Sequence, residues 1–508
     1  MNRTFSSRVV HVSRRRPLAA CVASIFALSA PTVSMAANTW IVSNCSDDGA
    51  GSLRATIGAM TTLSGDTVDM SALSCTVTLS TGEITIDQNS LSIQGGGADH
   101  LTIDASQLDS GYTAYNDSRI FTHTGTGQLT ISGMSLVYGH SNHSASGYPA
   151  LGGCVYSAGS VSVYSSVLRS CSASSQSDKA DGGAIYAKGD VFVKYSIISG
   201  NSVFAGKNAH GGGVRALGSF LGWYTTVNGN SVSSSMVVES DKGSWKYATG
   251  GGVSAPVDVT LVRSTISNNT SNGSFAGIGN DSLVTHTMKV YNSTISGNHA
   301  DRVVGGVYSN ATAVKFYNST IAFNSAGAIN VATMPPAQYL GPGLALASVL
   351  NDMNVTLQST LLSDNTVATF NEWDLTTAFD SADPMQANVN FNASPANNFI
   401  RTSAHTNPLP NDTIQLGACA HLGALKDNGG FTKTHALMSN SPALDQGNNS
   451  VNNPAGSLWA RDQRGLYADA IPYLYPRESN GQADIGAFEI NQDDTIFVTD
   501  LEGCLELF

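Results

Sequence analysis

The chain has 508 residues and a formal net charge of −12, and only 12% of its residues are charged, against roughly a quarter in ordinary globular proteins. The acidic balance argues against a nucleic-acid partner, and no segment after the N-terminal region reaches the roughly 18 apolar residues of a membrane span. The abundance of glycine, serine, threonine and asparagine is typical of an exported, turn-rich, all-β protein. No charged or proline-rich linker divides the chain, which predicts one elongated unit.

Residues 1–36 have the pattern of a signal peptide. Five arginines precede an apolar run at 18–30, and Ser34 and Ala36 place small residues where a signal peptidase cuts. Its removal would leave a chain that begins near Ala37 with a net charge of −12 − 5 = −17. We therefore expect an exported protein that is secreted or held at the bacterial cell surface or outer membrane.

The N-terminal cap and the first coils are predicted at 37–110. Within this region GSLRATIGAM, at 51–60, fits a short amphipathic helix that closes one end of the fold. The neighbouring pair of carboxylates, Asp47 and Asp48, is interpreted as a solvated turn.

A repeat occupies residues 111–370. The residue that closes each copy is Cys171, Asn201, Asn230, Asn269, Asn298, Asn324 and Asn365, with spacings of 30, 29, 39, 29, 26 and 41 residues. Self-similarity of this length indicates a stack in which each copy is one structural unit. We expect the asparagines to hydrogen-bond their equivalents one copy away and to tolerate left-handed backbone angles at the turn.

Apolar residues alternate within each copy, and the alternation slips once. Val191 and Val193 alternate with polar neighbours, and Ile198 resumes the pattern in a new phase after a polar bend. Two short strands explain this, because a strand points every second side chain inward. A third strand is predicted after each paired glycine, at 152, 182, 212, 251 and 305. The prediction is an all-β, right-handed parallel β-helix (solenoid) with capping segments at both ends, its hand set by the crossover rule.

Six cysteines follow the signal, and an even number in an exported protein predicts disulfides. Cys154 begins the first strand of its coil and Cys171 ends the third, so the two meet where that coil closes. The predicted pairs are Cys45–Cys75, Cys154–Cys171 and, by elimination, Cys419–Cys504. The spacing of the cysteines fits no zinc site, and neither a metal nor a cofactor is expected.

Residues 371–490 are expected to form the C-terminal coils and cap, and 491–508 an acidic tail. The run CSDDGAGSLRATI, the ending LGALKDNGGFTKTHALMSNSPALDQGN, and the later RDQRG and ADIGAFE resemble the bacterial choice-of-anchor Q family of exported β-helix proteins. GGAI and I-x-x-N are similar to the GGA[ILV] and FxxN repeats of chlamydial polymorphic outer-membrane proteins. Both resemblances imply a surface or secreted protein, and neither implies a defined reaction.

One outward position before the second bend carries large side chains in successive coils. They are Tyr164, Lys194, Trp223, Val262, Tyr291, Tyr317 and Gln358, with Lys289 and Lys315 two residues earlier. Because equivalent side chains on stacked coils form ladders, we expect these to line one face as an aromatic ribbon, and aromatic faces suit sugar rings. The competing interpretation is that a loop or the C-terminal segment covers the ribbon.

The corner after each closing asparagine is a second candidate surface, because coil length varies there. The insertions 172–181, 202–210, 231–249, 270–276 and 299–304 are expected to project as loops from one edge, which in solenoids is often the binding face. The longest insertion brings together Lys242, Trp245, Lys246 and Tyr247. The alternative is that Trp245 folds back onto the coil.

A polysaccharide lyase or glycoside hydrolase is the alternative function. Such enzymes need paired carboxylates, or a base with a calcium-binding carboxylate cluster. The outward positions of the third strand, Ser199, Asn228, Ser267, Ser296 and Ala322, supply none, and His140, His143, His210 and His299 are expected to stand alone on loops. The sequence therefore favours a non-enzymatic, adhesin-like protein that binds a glycan or a cell-surface partner, with a purely structural matrix protein as a third hypothesis.

Overall fold

The structure is a computed structural model, and the residues that it describes are 37–60, 65–108, 116–240, 243–282, 284–327, 341–348, 351–367, 373–378, 388–392, 395–405, 407–415, 417–452, 460–465, 475–477 and 481–490. The predicted signal peptide and acidic tail lie outside these residues. The described chain is nearly all β, with one short α-helix at Leu53–Ala59 and a 3-10 turn at Asn449–Asn452.

Each coil contributes one strand to each of three parallel sheets, numbered here in the order in which a coil enters them. Sheet 1 holds Ile84–Ile86, Phe121–His123, Val155–Ser157, Ile185–Ala187, Val214–Ala216, Val253–Ser254, Ile278–Asn280, Val307–Ser309, Leu344–Ala347, Leu375–Ala378 and Ser403–Ala404. Sheet 2 holds Thr39–Ile41, Asp66–Met70, Leu91–Gly95, Gln128–Ser132, Ser160–Tyr164, Val191–Lys194, Phe220–Trp223, Val259–Val262, Thr287–Tyr291, Ala313–Tyr317, Met353–Gln358 and Val389–Phe391. Sheet 3 holds Cys75–Thr78, Leu101–Asp104, Ser135–Val137, Val167–Arg169, Ile197–Ser199, Thr226–Asn228, Thr265–Ser267, Thr294–Ser296, Thr320–Ala322, Leu361–Ser363 and Phe399–Ile400. The predicted parallel β-helix is confirmed.

The three sheets enclose one narrow apolar interior. Equivalent inward residues lie directly over one another, as in the column of Val161, Val191, Phe220, Val259, Met288, Val314 and Val355, and each is at most 1% exposed. Burial of such a side chain contributes about 1.5–3 kcal/mol. One or two apolar residues per strand therefore fill the coil, and the remaining positions are left for polar residues.

The closing asparagines form the predicted ladder. Asn230 donates its amide N–H (3.0 Å) and its side-chain Nδ2 (2.9 Å) to Oδ1 of Asn269 in the next coil, and the pattern repeats from Asn201 to Asn365. The left-handed angle was predicted at the wrong residue. It lies one position earlier, for example at Gly229 (φ 64°) and Asn268 (φ 54°), so that the ladder asparagine itself points inward.

A second ladder of hydroxyl groups lies at the bend between sheets 2 and 3. Ser293 accepts a hydrogen bond from the amide of Ser264 (3.1 Å), and Ser319 accepts one from the amide of Ser293 (3.3 Å). The preceding residues, including Asn292 (φ 46°) and Asn318 (φ 49°), adopt left-handed angles, which asparagine tolerates. The repeated Asn-Ser-Thr sequence therefore favours this bend, because the asparagine adopts the left-handed angle and the serine accepts the hydrogen bond from the adjacent coil.

The insertions do not project as loops, which corrects the prediction. The first residues of the five insertions form strands of sheet 4, at Ser172–Ser175, Ser202–Ala205, Ser231–Ser234, Thr270–Ser271 and His299–Ala300. Sheet 4 also holds Asn116–Ser118, His140–His143, Ser325–Ala326 and Thr366–Val367 from other coils. The last residues of the three longest insertions form sheet 5, at Ala180–Asp181, Ala209–His210 and Ala248–Thr249, together with Ala150–Leu151. Alanines and valines between the two sheets make a small second core. Burial of these small side chains stacks the insertions as regular strands.

The predicted helix closes the N-terminal end, with Leu53 and Ile57 buried. Cys45 and Cys75 form a disulfide beside it, with a Cα–Cα distance of 6.4 Å. Asp47 is not the solvated turn that we predicted, because it pairs with Arg54 at 2.8 Å. Burial alone would raise its pKa, but hydrogen bonds from the Ser80 backbone and the Arg54 side chain lower the pKa of Asp47 to about 2.

The predicted Cys154–Cys171 disulfide is present, with a Cα–Cα distance of 5.4 Å. Cys419 is disulfide-bonded, and its predicted partner Cys504 lies outside the described residues. The structure therefore contains both of the pairs predicted within its described part.

The C-terminal segment, defined here as the described residues of 417–490, packs along the outside of sheet 3. Its Gly465 carbonyl accepts a hydrogen bond from Tyr224 (2.9 Å), and its Gly486 amide donates to the Ser359 carbonyl (2.9 Å). It covers part of the outward row of sheet 3, including Ser267, Ser296 and Ala322, which are at most 2% exposed. Ser199 and Asn228, farther toward the N-terminus, remain partly exposed.

A buried charge network fixes this segment to the coils. Its arginines are Arg263, Arg464 and Arg477, its acids are Asp462, Asp484 and Glu489, and all six are at most 2% exposed. Arg464 pairs with Asp462 at 2.8 Å, and Arg477 donates to Oδ1 of Asn292 at 3.0 Å. Burial raises the pKa of Glu489 to about 9. The network shows what the RDQRG and DIGAFE segments do, since they hold the segment against sheet 3.

Candidate functional site: an aromatic and lysine face on sheet 2

The aromatic ribbon is a ladder on the outer face of sheet 2, as predicted. Direct Cα partners in successive strands are Tyr164, Lys194, Trp223, Val262, Tyr291, Tyr317 and Gln358. The neighbouring outward column is Ser162, Phe192, Leu221, Thr260, Lys289, Lys315 and Thr356. These two columns are called the aromatic–lysine face below.

The rings on this face stack along the solenoid axis. Tyr291 and Tyr317 are stacked with ring centroids 5.5 Å apart, and Lys194 places its Nζ 5.0 Å from the Trp223 ring centroid. Burial raises the pKa of Tyr291 to about 12, and the neighbouring Tyr317 adds to the rise. The phenol therefore stays protonated and can both donate and accept hydrogen bonds at physiological pH.

Two lysines lie side by side beside the stacked tyrosines. Lys289 and Lys315 are direct Cα partners on adjacent parallel strands, and within the described residues neither ammonium group pairs with a carboxylate. Like charges in directly paired positions destabilise a sheet. An anion placed between the two lysines would relieve that repulsion.

The face is half-exposed, apart from Ser162 and Val262, which are 8% and 7% exposed. The described part of the C-terminal segment packs on sheet 3, and its Phe431 reaches only the edge of the bend, where it contacts Tyr195 with ring centroids 5.6 Å apart. Within the described residues, the C-terminal segment therefore lies beside the aromatic ribbon and does not cover it. The half-exposed rings can contact a ligand without rearrangement.

The second predicted set lies elsewhere. Val237–Ser240 and Gly243–Lys246 form an antiparallel hairpin between sheets 4 and 5, in which Trp245 pairs with Val238. Lys242 and the side chain of Trp245 lie outside the described residues, whereas Lys246 and Tyr247 are exposed. The structure thus does not join this set to the aromatic–lysine face on sheet 2.

The histidines are not isolated on loops, which corrects that expectation. His140, His143, His210 and His299 all lie in strands of sheets 4 and 5. His210 hydrogen-bonds Asp181 through Nδ1 at 2.7 Å, and His299 approaches Asp301 through Nε2 at 3.3 Å. The variable insertions hid the His210–Asp181 pair from sequence reasoning, because only the register of sheet 5 sets His210 directly beside Asp181.

Within the described residues, no group of three or more His, Cys, Asp or Glu side chains is arranged to hold a metal ion. None of the described helices has the length and apolar character to cross a membrane. Comparisons with protein-family models, curated proteins and solved structures yielded no match to this chain. The resemblance to the choice-of-anchor Q family and to the polymorphic outer-membrane repeats therefore stays a prediction.

Proposed function

We propose that this protein is an exported, adhesin-like β-helix that binds an acidic glycan along the aromatic–lysine face. The observation that carries the proposal is the stacked pair of Tyr291 and Tyr317 beside the paired Lys289 and Lys315. Sugar rings pack on aromatic faces through their C–H groups, and carboxylate or sulfate substituents bind lysine. The disulfides support an oxidising compartment, and membership of the choice-of-anchor Q family would agree with it.

The regular spacing of the face favours an extended polymer. Strands in a sheet are about 4.8 Å apart, so the outward side chains from Tyr164 to Tyr317 repeat along the axis as a flat track. A linear glycan lying along the track contacts several coils at once, and each weak contact adds to the affinity. The positive charge of Lys194, Lys289 and Lys315 on an acidic protein selects anionic chains over neutral ones.

The test is a glycan-binding measurement on the purified full-length protein, using polygalacturonate, alginate and heparin beside neutral dextran. Tyr291→Ala should weaken binding of the acidic chains about two- to tenfold, since an aromatic contact contributes about 0.5–1.5 kcal/mol. Lys289→Ala should weaken it further at low salt and less at high salt, because salt screens exposed charges.

Two variants serve as matched controls. Tyr138 is an exposed tyrosine outside the face, 39% exposed, and Lys433 is an exposed lysine on the C-terminal segment. Tyr138→Ala and Lys433→Ala should bind like the unchanged protein. Equal binding by Tyr291→Ala and Tyr138→Ala, or no preference for acidic chains, would exclude the face as the site.

A further inference from the structure

A group of four side chains lies at the bend between sheets 2 and 3, where the tip of the C-terminal segment reaches the coils. Lys194 and Trp223 are direct partners at the end of sheet 2, and Tyr195 is the next residue along the bend. Phe431 of the C-terminal segment contacts the Tyr195 ring with centroids 5.6 Å apart. These four side chains are called the bend site below.

The DNGG turn at 427–430 presents Phe431 to the bend. Both of its glycines have left-handed angles, with φ 98° at Gly429 and 83° at Gly430. A Cβ at Gly430 would lie 2.6 Å from the Cα of Arg464, so this position requires glycine. The DNGG segment therefore holds the backbone in the one conformation that brings the phenylalanine to the bend.

The chain around this turn is anchored, whereas the ring at its tip is not buried. Asn428 donates its Nδ2 to the Thr434 carbonyl at 2.8 Å, and Thr432 donates its hydroxyl to the Arg263 carbonyl at 3.1 Å. Thr432 is 3% exposed, but Phe431 is 39% exposed. An aromatic ring that a fixed backbone keeps in contact with water forgoes part of its hydrophobic stabilisation, and it is available to a ligand.

The ammonium group of Lys194 lies over two of the rings. Its Nζ is 5.0 Å from the Trp223 centroid and 5.1 Å from the Tyr195 centroid, and both distances are within the range of a cation–π interaction. Among the described residues no carboxylate or other acceptor contacts this ammonium, although it carries three N–H donors. The rings therefore position the charge and leave its donors for an anion.

The bend site rests on a buried base and is open to solvent. Tyr195 stacks on Tyr224 with ring centroids 4.8 Å apart, and Tyr224 is fully buried. Lys194, Tyr195 and Trp223 are half-exposed. Side chains that are fixed from below and open above lose little freedom when a small ligand binds, which favours affinity.

We propose that the bend site binds one acidic sugar residue of a glycan, with the sugar ring packed against Phe431 and Trp223 and its anionic substituent bound by Lys194. The class of ligand rests on the acidic glycan proposed above, and the bend site adds the C-terminal segment to its recognition. Aromatic rings provide contact area for the C–H groups of a sugar. A charge-assisted hydrogen bond from the ammonium selects an anionic sugar over a neutral one.

The bend site is far enough from the paired lysines of the face to be tested separately. Lys194 and Lys289 are three strands apart in sheet 2, which is about 14 Å at a strand spacing of about 4.8 Å. A monosaccharide cannot contact both lysines, whereas a longer glycan can. Binding of a single sugar therefore reports on one part of the face at a time.

The test measures binding of monosaccharides to the purified full-length protein by saturation-transfer difference NMR, with galacturonate and galactose 6-sulfate beside neutral galactose. The acidic sugars should bind more tightly than galactose. Phe431→Ala should weaken their binding about two- to tenfold, through the loss of one aromatic contact. Lys194→Gln should weaken it about tenfold or more and reduce the preference over galactose, because it removes the charge-assisted hydrogen bond.

Phe204→Ala and Lys188→Gln are the matched controls. Phe204 lies in sheet 4 and is 40% exposed, against 39% for Phe431, and Lys188 is an exposed lysine in the turn before sheet 2. Both variants should bind the acidic sugars like the unchanged protein. Circular dichroism verifies that each variant is folded.

The outcomes separate this inference from the proposed function. If Tyr291→Ala weakens binding of the acidic polymers while folded Phe431→Ala and Lys194→Gln bind the acidic sugars like the unchanged protein, the bend site is excluded and the face is retained. If Tyr291→Ala leaves polymer binding unchanged while Phe431→Ala and Lys194→Gln lose the acidic sugars, the bend site is supported and the longer track is excluded. Failure of both acidic sugars to bind more tightly than galactose would overturn the bend site.

Discussion

Replacing Asn269 by alanine should destabilise the middle of the solenoid. The side chain is fully buried, accepts the amide N–H and Nδ2 of Asn230 at 3.0 and 2.9 Å, and donates to the Val227 carbonyl at 3.1 Å and to Asn298 Oδ1 at 2.9 Å. Alanine removes all four hydrogen bonds and leaves two buried donors of Asn230 without this acceptor. At about 1 kcal/mol for each bond, the loss is about 4 kcal/mol.

The position of a residue in the ladder predicts the order of the effects. Asn201, at the start, makes three such bonds, to the Cys171 amide, the Leu168 carbonyl and Asn230, so Asn201→Ala should cost about 3 kcal/mol. Asn354 is an exposed asparagine on the outer face of sheet 2. Asn354→Ala should change the free energy of unfolding by less than about 0.5 kcal/mol and serves as the control.

Two assays measure the effect. The urea midpoint followed by circular dichroism ranks the three variants, and hydrogen exchange measured by mass spectrometry reports opening of the coils next to residue 269. A loss of about 4 kcal/mol corresponds to exchange roughly 10³-fold faster, since each 1.4 kcal/mol is a factor of ten. If Asn269→Ala and Asn354→Ala have the same midpoint and exchange rates, the ladder does not stabilise the stack in the way argued here.

Three further outcomes are expected. Burial lowers the pKa of His435 from 6.5 to about 4, so the unfolded chain binds the proton at a higher pH than the folded chain does. The stabilisation from the neutral histidine is complete above pH 6.5, and the free energy of unfolding should fall by about 3 kcal/mol as the pH is lowered to 4. Urea titrations of the unchanged protein and His435→Asn across that range should diverge by this amount, and parallel curves would contradict it. Removing the Cys154–Cys171 disulfide as a double serine variant should lower the free energy of unfolding by about 3 kcal/mol, measured in urea, whereas a loss that persists when both proteins are reduced would have another cause. Arg464→Met should cost about 3–5 kcal/mol by leaving the Asp462 carboxylate buried and without its cation, and a melting temperature equal to that of the unchanged protein would refute this role.

The coil itself was predictable from the sequence, because its determinants are local and repeat. Inward residues such as Val191 and Val193 alternate within one short strand, and each closing asparagine bonds the same atom type one coil away. A residue that contacts the equivalent residue of the next coil recurs at a regular spacing in the sequence. That spacing predicted the strands, the asparagine ladder and the column that holds Tyr291 and Tyr317. Three sheet 1 strands inside the repeat, Phe121–His123, Ile278–Asn280 and Leu344–Ala347, were missed because no paired glycine precedes them.

Tertiary structure decided everything that joins unlike segments. Arg263 meets Gly465 across 202 positions of the chain, and no period signals such a contact. The insertions differ in length, so only stacking and burial of small residues set Asp181 beside His210. The sequence by itself therefore determined the repeating scaffold and one outward face, through short-range alternation and copy-to-copy register. The three-dimensional fold alone determined which outward residues the C-terminal segment buries and which charged side chains, such as Asp181 and His210, lie together. These contacts depend on the axial position at which segments that are not copies of one another pack together.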